Sequence, residues 1–449
     1  MVDEEERSLT TGSVPKKIAA LAFPIFLSNL FQQLYNAVDS LIVGQFIGRQ
    51  ALAAVSSSSS LIYLLVGFIN GVAIGAGVLV ARYYGAKDQK RLEQAVHTTI
   101  ALGLAAGVVL TVAGVILTPQ ILRWMGTPDD VIGNSILYFR VYFLGSSAVV
   151  LYNMEASILQ SVGDSRSPMV YLILASLTNV VLDLLFVAVF RRGVGSAALA
   201  TIISQALSAY LAFRKLTRTR EGYRLNWRKI AFTGPILRQV VTLGIPSGVQ
   251  NSVISLANVI VQSNINSFGS VAMAGCGAYS KVEGFAFLPV TCFSLSLSTF
   301  VSQNVGAGRY DRVERGIKFS LVCSPILAEL IGGLIFAGSP VFVALFNSDP
   351  AVVAYGVHYA RTVSFFYFLL SFSHCCSGIL RGLGRPVVPM VIMLSVWCVL
   401  RIIYITVAIR LYSSITVVYW AYPMTWAISS VLFALCMRSL HLSRYQLRG

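Results

Sequence analysis

Charge is what this chain is shortest of. Only 12% of its 449 residues are Asp, Glu, Lys or Arg, where a soluble globular protein carries about 25%. So little charge cannot clothe a water-facing surface of that size, and lipid is the expected solvent. Histidine is scarce too, with four residues in all, so metal and acid–base chemistry have few players. No GxSxG, HExxH or phosphate-cradling glycine loop occurs, nor an Asp pair in a protease setting, and an enzyme is not expected. No CxxC spacing joins Cys276, Cys292, Cys323, Cys375, Cys376, Cys398 and Cys436. All lie in or beside apolar runs and read as small buried hydrophobes. No cofactor is expected.

What is present is hydrophobic sequence, 56% of the chain, cut into long runs. A helix needs about 20 apolar residues to cross the hydrocarbon. Twelve candidates fit: 18–43, 51–80, 94–117, 135–159, 168–190 and 196–213, then 239–265, 271–301, 316–336, 354–380, 387–409 and 414–437. The first follows an acidic start (Asp3, Glu4, Glu5, Glu6) and Lys16-Lys17. It is too long for a signal-peptide core and reads as a retained span.

The net charge of +16 suggests nucleic acid only until its placement is considered. Threading the spans puts twenty-five Lys and Arg on one side and five on the other, with four inside spans. That is the positive-inside bias of membrane topology. It puts both termini and the polar linker in the cytoplasm. The expected divisions are a tail 1–17, an N-lobe 18–213, a linker 214–238, a C-lobe 239–437 and a tail 438–449. The expected fold is an all-α polytopic membrane protein.

The two halves repeat. Gly85-Ala86, Arg91 and Glu93 recur as Gly306-Ala307, Arg312 and Glu314. At the same shift Tyr138 and Arg140 match Tyr359 and Arg361, and Pro168-Met169-Val170 matches Pro389-Met390-Val391. One residue further, Leu21, Pro24, Asn29 and Asn36 match Leu243, Pro246, Asn251 and Asn258. Six spans per half is an even number, so the repeats run parallel, related by a pseudo-two-fold axis along the membrane normal. The GAxxxxRxE loops read as turns that anchor the chain at the cytoplasmic surface, in preference to substrate contacts.

Ionisable residues inside spans cost roughly 2.5–3.5 kcal/mol on insertion scales and are functional candidates by default. Asp183 stands in a nearly apolar fifth span, with Asn179 one turn earlier on the same face. Asp39 follows Gln32, Gln33, Tyr35 and Asn36 in the first span, and Thr201 lies in the sixth. If these spans meet, two carboxylates, an amide and a hydroxyl converge. Such a group binds Na⁺ through hard oxygens, or its two carboxyls share one proton, because both cannot ionise side by side in a low dielectric. The bland alternative pairs Asp39 or Asp183 with Arg140. Gln33, Tyr35, Asn36, Glu155 and Glu283 are candidate substrate contacts. Glu155 reads equally well as neutralising a nearby charge. Arg401 falls where the repeat places the residue after Asn179, so the carboxylate constellation is not duplicated. His374, beside Cys375 and Cys376, is more readily a packing histidine than a ligand.

Pro24 with Asp39, the GAKDxxR and GAGRxxR loops (Gly85–Arg91, Gly306–Arg312), Asn179-Val-Val-Leu-Asp183 and Thr201 resemble the multidrug and toxic compound extrusion family of antiporters. That family lies within the wider group of oligosaccharide-lipid flippases, and the resemblance spans about residues 15–440. It implies twelve helices in two lobes, with H⁺ or Na⁺ influx driving efflux of lipophilic, often cationic, small molecules. By resemblance Asp39, Asn179, Asp183 and Thr201 form the cation site, and Glu155 matches an acidic fourth-span position of one bacterial subgroup. Members with an acidic pair in the seventh and tenth spans also exist; here both spans lack carboxylates. The expectation is a plasma-membrane exporter, monomeric in its lipid, with a lipid-linked oligosaccharide flippase as the alternative.

Overall fold

The computed structural model describes residues 7–47, 49–124, 127 and 129–439. The acidic start 3–6 and the tail 440–449 named above lie outside them. Among the described residues, eleven helices are long and apolar enough to cross a membrane. A twelfth span is a bent pair.

The spans run longer than hydropathy alone marks them. The first is Val14–Phe46, the second Arg49–Gly85 and the third Gln89–Trp124. At 1.5 Å per residue a 36-residue helix reaches about 54 Å, well past a hydrocarbon core of about 30 Å. The polar ends that hydropathy discards are helical as well. The fourth span breaks into Asp129–Leu144 and Ser146–Ser161, bent by 46°. Gly145 sits at the break, and a Cβ there would overlap Ile202 of the sixth span, Gly195–Arg218. The fifth is Arg166–Asp183, continuing as a π-turn over Leu184–Val189.

In the second half the seventh, eighth and ninth spans are Gly234–Asn266, Ser270–Gly306 and Tyr310–Ala344. The tenth combines Pro350–Val363 and Tyr367–Gly382 across a 3₁₀ turn. The eleventh runs Val387–Met393, a π-turn Leu394–Leu400, then Arg401–Tyr412. The twelfth is Ile415–Arg438.

Packing divides the chain into two units, and the division does not fall at the linker. One unit is Met1–Ser8 with Phe23–Ile245; the other is Leu9–Ala22 with Pro246–Gly449. The opening of the first span thus belongs to the second unit, and the opening of the seventh to the first. Both changes fall at the matched prolines, Pro24 and Pro246, each inside its helix.

Small residues let backbones approach where lipid gives no hydrophobic push between helices. In the first unit Ser157 Oγ donates to Ala73 O (2.6 Å) and Ser161 Oγ to Gly77 O (2.8 Å), closing the second span on the fourth. The repeat puts Gly378 and Gly382 of the tenth span against Ser294 and Ser298 of the eighth. There Ser294 Oγ donates across to His374 O (2.6 Å). The contact is retained while the hydroxyl changes helix.

The duplicated loops have parted ways. Arg91 is exposed and, among the described residues, pairs only with Asp88 (3.6 Å). Arg312 is 6% exposed and grips the chain's start within the second unit. Its Nη1 donates to Gly12 O (2.7 Å), its Nη2 to Leu9 O and Thr11 O (both 3.0 Å), and its Nε to Asn304 Oδ1 (3.0 Å). Leu9 N in turn donates to Gln303 Oε1 (3.0 Å). In the first unit the matching helix start holds the segment ahead of the seventh span. His97 Nε2 accepts from Asn226 N (3.0 Å), Thr98 Oγ1 from Thr233 N (3.2 Å), and Lys229 pairs with Glu93 (2.8 Å). Arg312→Gln is expected to cost about 3 kcal/mol, the upper range for hydrogen bonds to one charged group. Thermal melting of the detergent-solubilised protein reads this as a lowered Tm, with earlier proteolysis before residue 13; an unchanged Tm refutes the clamp.

Candidate functional site

Three spans of the first unit bring the acidic candidates together. Asp39 is 8% exposed and Asp183 fully buried, and the two carboxyls interact with each other electrostatically. The first span reaches this point because Gln32, Tyr35, Asn36 and Asp39 recur at helical spacing on one face. The fifth contributes Asn179 and Asp183 one turn apart, both buried.

The amide of Asn179 lies between its neighbours. With Nδ2 towards Asp183 it donates to Oδ2 (3.2 Å) while its oxygen accepts from Thr201 N (3.3 Å). This orientation satisfies both ends of the amide, which the reverse does not. The Thr201 hydroxyl donates to Ala197 O (3.2 Å) and stands 3.4 Å from the Asn179 amide. Thr201 therefore reaches the carboxyls through Asn179.

Two carboxylate oxygens of this group are buried without described donors. Among the described residues, Asp39 Oδ1 and Asp183 Oδ1 find no hydrogen-bond partner. A buried acceptor left unpaired costs about 1–3 kcal/mol, and a proton or cation between the two removes that cost. Arg140 does not: it is exposed and its Nε donates to Val115 O (3.4 Å), so the bland pairing read from sequence is not made here.

The candidate substrate contacts fall differently. Tyr35 is buried, its hydroxyl accepting from Gln205 Nε2 at 3.5 Å. Gln33 and Asn36 are half-buried, with no described side-chain bond to the carboxyls. Glu155 is 1% exposed with Oε2 unpartnered, so no described cation neutralises it. Glu283 belongs to the second unit and accepts from the Tyr279 hydroxyl (3.4 Å). Glu329 accepts from Phe368 N (3.2 Å), and His374 packs on Trp397 at 5.5 Å. Sequence reasoning missed Tyr138, buried within electrostatic reach of both Asp39 and Asp183. Its match to Tyr359 in the repeat was the available signal.

Comparison with known proteins agrees with this architecture. The family model MatE matches twice, at residues 24–185 and 246–407, the same duplication read from single residues. The probable multidrug resistance protein YoeA of Bacillus subtilis is 29% identical over 94% of this chain and 92% of its own. The probable multidrug resistance protein NorM of Thermotoga maritima is 24% identical over 86% and 83%. Among solved structures, an outward-facing multidrug resistance MATE transporter superposes with a TM-score of 0.90 at 22% identity, covering 97% of this chain and 98% of the other.

Proposed function

Because the chain belongs to the MatE family of multi-pass membrane transporters, we propose that it exports lipophilic, often cationic, small molecules in exchange for a cation. The single observation that carries this is the Asp39–Asp183 pair, two interacting carboxyls buried in an apolar bundle, each with an unpartnered oxygen. Such a pair holds a positive ion when closed off, and its affinity changes when it meets water on either side. A difference of that kind between two states is what couples an ion gradient to a conformational cycle. Alternating access of the two lobes is the proposed cycle. The relatives' names support organic toxins as cargo. The Lys and Arg distribution supports cytoplasmic termini, and the chain is proposed to act as a monomer in the plasma membrane.

A proton is the favoured ion. Na⁺ wants a shell of oxygens, yet Asn179 presents its Nδ2 to Asp183. Two carboxyls sharing a hydrogen bond fit a proton with no further ligand. In proteoliposomes, efflux of a fluorescent organic cation is expected to follow an imposed pH gradient and to stop when that gradient is dissipated. Transport driven by a Na⁺ gradient at uniform pH overturns the proton assignment; transport indifferent to both overturns the exchanger.

A further inference from the structure

The second unit buries a positive charge where the first buries negative ones. Arg401 is 3% exposed and lies inside a span, yet it forms no ion pair among the described residues. Its Nε and Nη2 both donate to Thr425 Oγ1 (3.2 and 2.7 Å). Its guanidinium carbon lies 4.4 Å from the Tyr422 ring centroid and 5.8 Å from that of Trp397. A guanidinium has five N–H donors in a planar fork shaped for a carboxylate or phosphate. Here one hydroxyl takes two of them, and Nη1 donates to no described residue. Glu283 feels the charge but stays beyond ion-pair distance, held by the Tyr279 hydroxyl.

Aromatic rings form the walls. Tyr422 packs on Trp426 and Tyr359 with centroids 6.0 and 5.9 Å apart. Tyr422 and Glu283 are only half-buried, the least enclosed side chains of the group. The backbone sets this position apart as well. Arg401 directly follows the π-turn Leu394–Leu400, as Asp183 directly precedes the one at Leu184–Val189. Such turns shift side-chain register and recur at functional sites.

We propose that Arg401 is an anion-recognition residue, binding substrates that carry a carboxylate on an aromatic body. The carboxylate takes the free edge of the fork and the ring stacks among Tyr422 and its neighbours. A buried cation without an ion-pair partner is costly to keep charged, and a ligand carboxylate removes that cost. The proposal rests on the exporter reading only for its transport consequence, so binding is tested without any gradient.

The probes are 1-pyrenecarboxylate and 1-pyrenemethylammonium, which differ only in their charged group. Each is titrated into the purified full-length protein, with energy transfer from tryptophan as the readout. Arg401→Gln is expected to raise the Kd for the carboxylate at least tenfold and leave that for the ammonium within twofold. Glu283→Gln is expected to leave carboxylate binding unchanged or tighter. Equal weakening by both substitutions means that Arg401 serves an internal pair with Glu283, and overturns the proposal, as does an unchanged Kd in Arg401→Gln. Should the Gln variant not fold, the wild-type decides: benzoate must displace the carboxylate probe and benzylammonium must not. Binding with no gradient-driven flux of either probe overturns the exporter and spares this site; flux of the carboxylate indifferent to Arg401 does the reverse.

Discussion

Asp183→Asn is expected to abolish gradient-driven efflux while leaving a folded protein. Asparagine has the shape of aspartate and can take the Asn179 and Asp39 hydrogen bonds, so packing around this fully buried position is kept. What goes is the carboxyl that exchanges an ion in the proposed cycle. A carrier that loses a coupling of about 2.7 kcal/mol loses a hundredfold, and transport in everted vesicles is expected to fall at least that far. Substrate binding without a gradient is expected to persist. Asp39→Asn should act in the same direction, since each carboxyl is the other's partner. Coupled efflux surviving in Asp183→Asn would sink the assignment of the ion to this pair.

Gly378→Val is expected to have an effect of similar size on folding. A Cβ at Gly378 meets the backbone carbonyl and the hydroxyl of Ser294, and a carbonyl inside a helix has nowhere to move. Overpacking a tight contact costs about 1–3 kcal/mol, and valine adds two further methyl groups at this contact between the eighth and tenth spans. The expected result is loss of monodisperse protein after detergent extraction. Gly333→Ala is the control: nothing lies within 4 Å of a Cβ there, so its melting temperature should hold or rise. Equal behaviour of the two variants would show that the small-residue contact does not limit stability.

These positions differ in how far sequence alone reveals them. Hydropathy marks the spans because it measures transfer into lipid, but it stops at the first polar turn. It therefore gives 94–117 where the helix runs Gln89–Trp124. It cannot see the break at Gly145, which depends on Ile202 from another span. The convergence of Asp39 with Asp183 is legible because a carboxyl in an apolar run must find a partner, and helical spacing brings Asn179 along. The route from Thr201 through Asn179 is not legible, since it depends on how one amide is turned. Arg312 and Arg91 look alike as letters, yet one is 6% exposed and the other lies at the surface. The difference comes from what docks on them, here residues 9–12, which carry no periodic signal. Thr425 likewise passes as one more small residue of the twelfth span until Arg401 is seen against it.

The exchange of opening segments at Pro24 and Pro246 means that neither half is self-sufficient. Severing the peptide within 219–233 would not release two independently stable pieces, because each half lends the other the start of a helix. Nicked protein should stay assembled until it melts, and either half made alone should lack a strut that no residue of its own can replace.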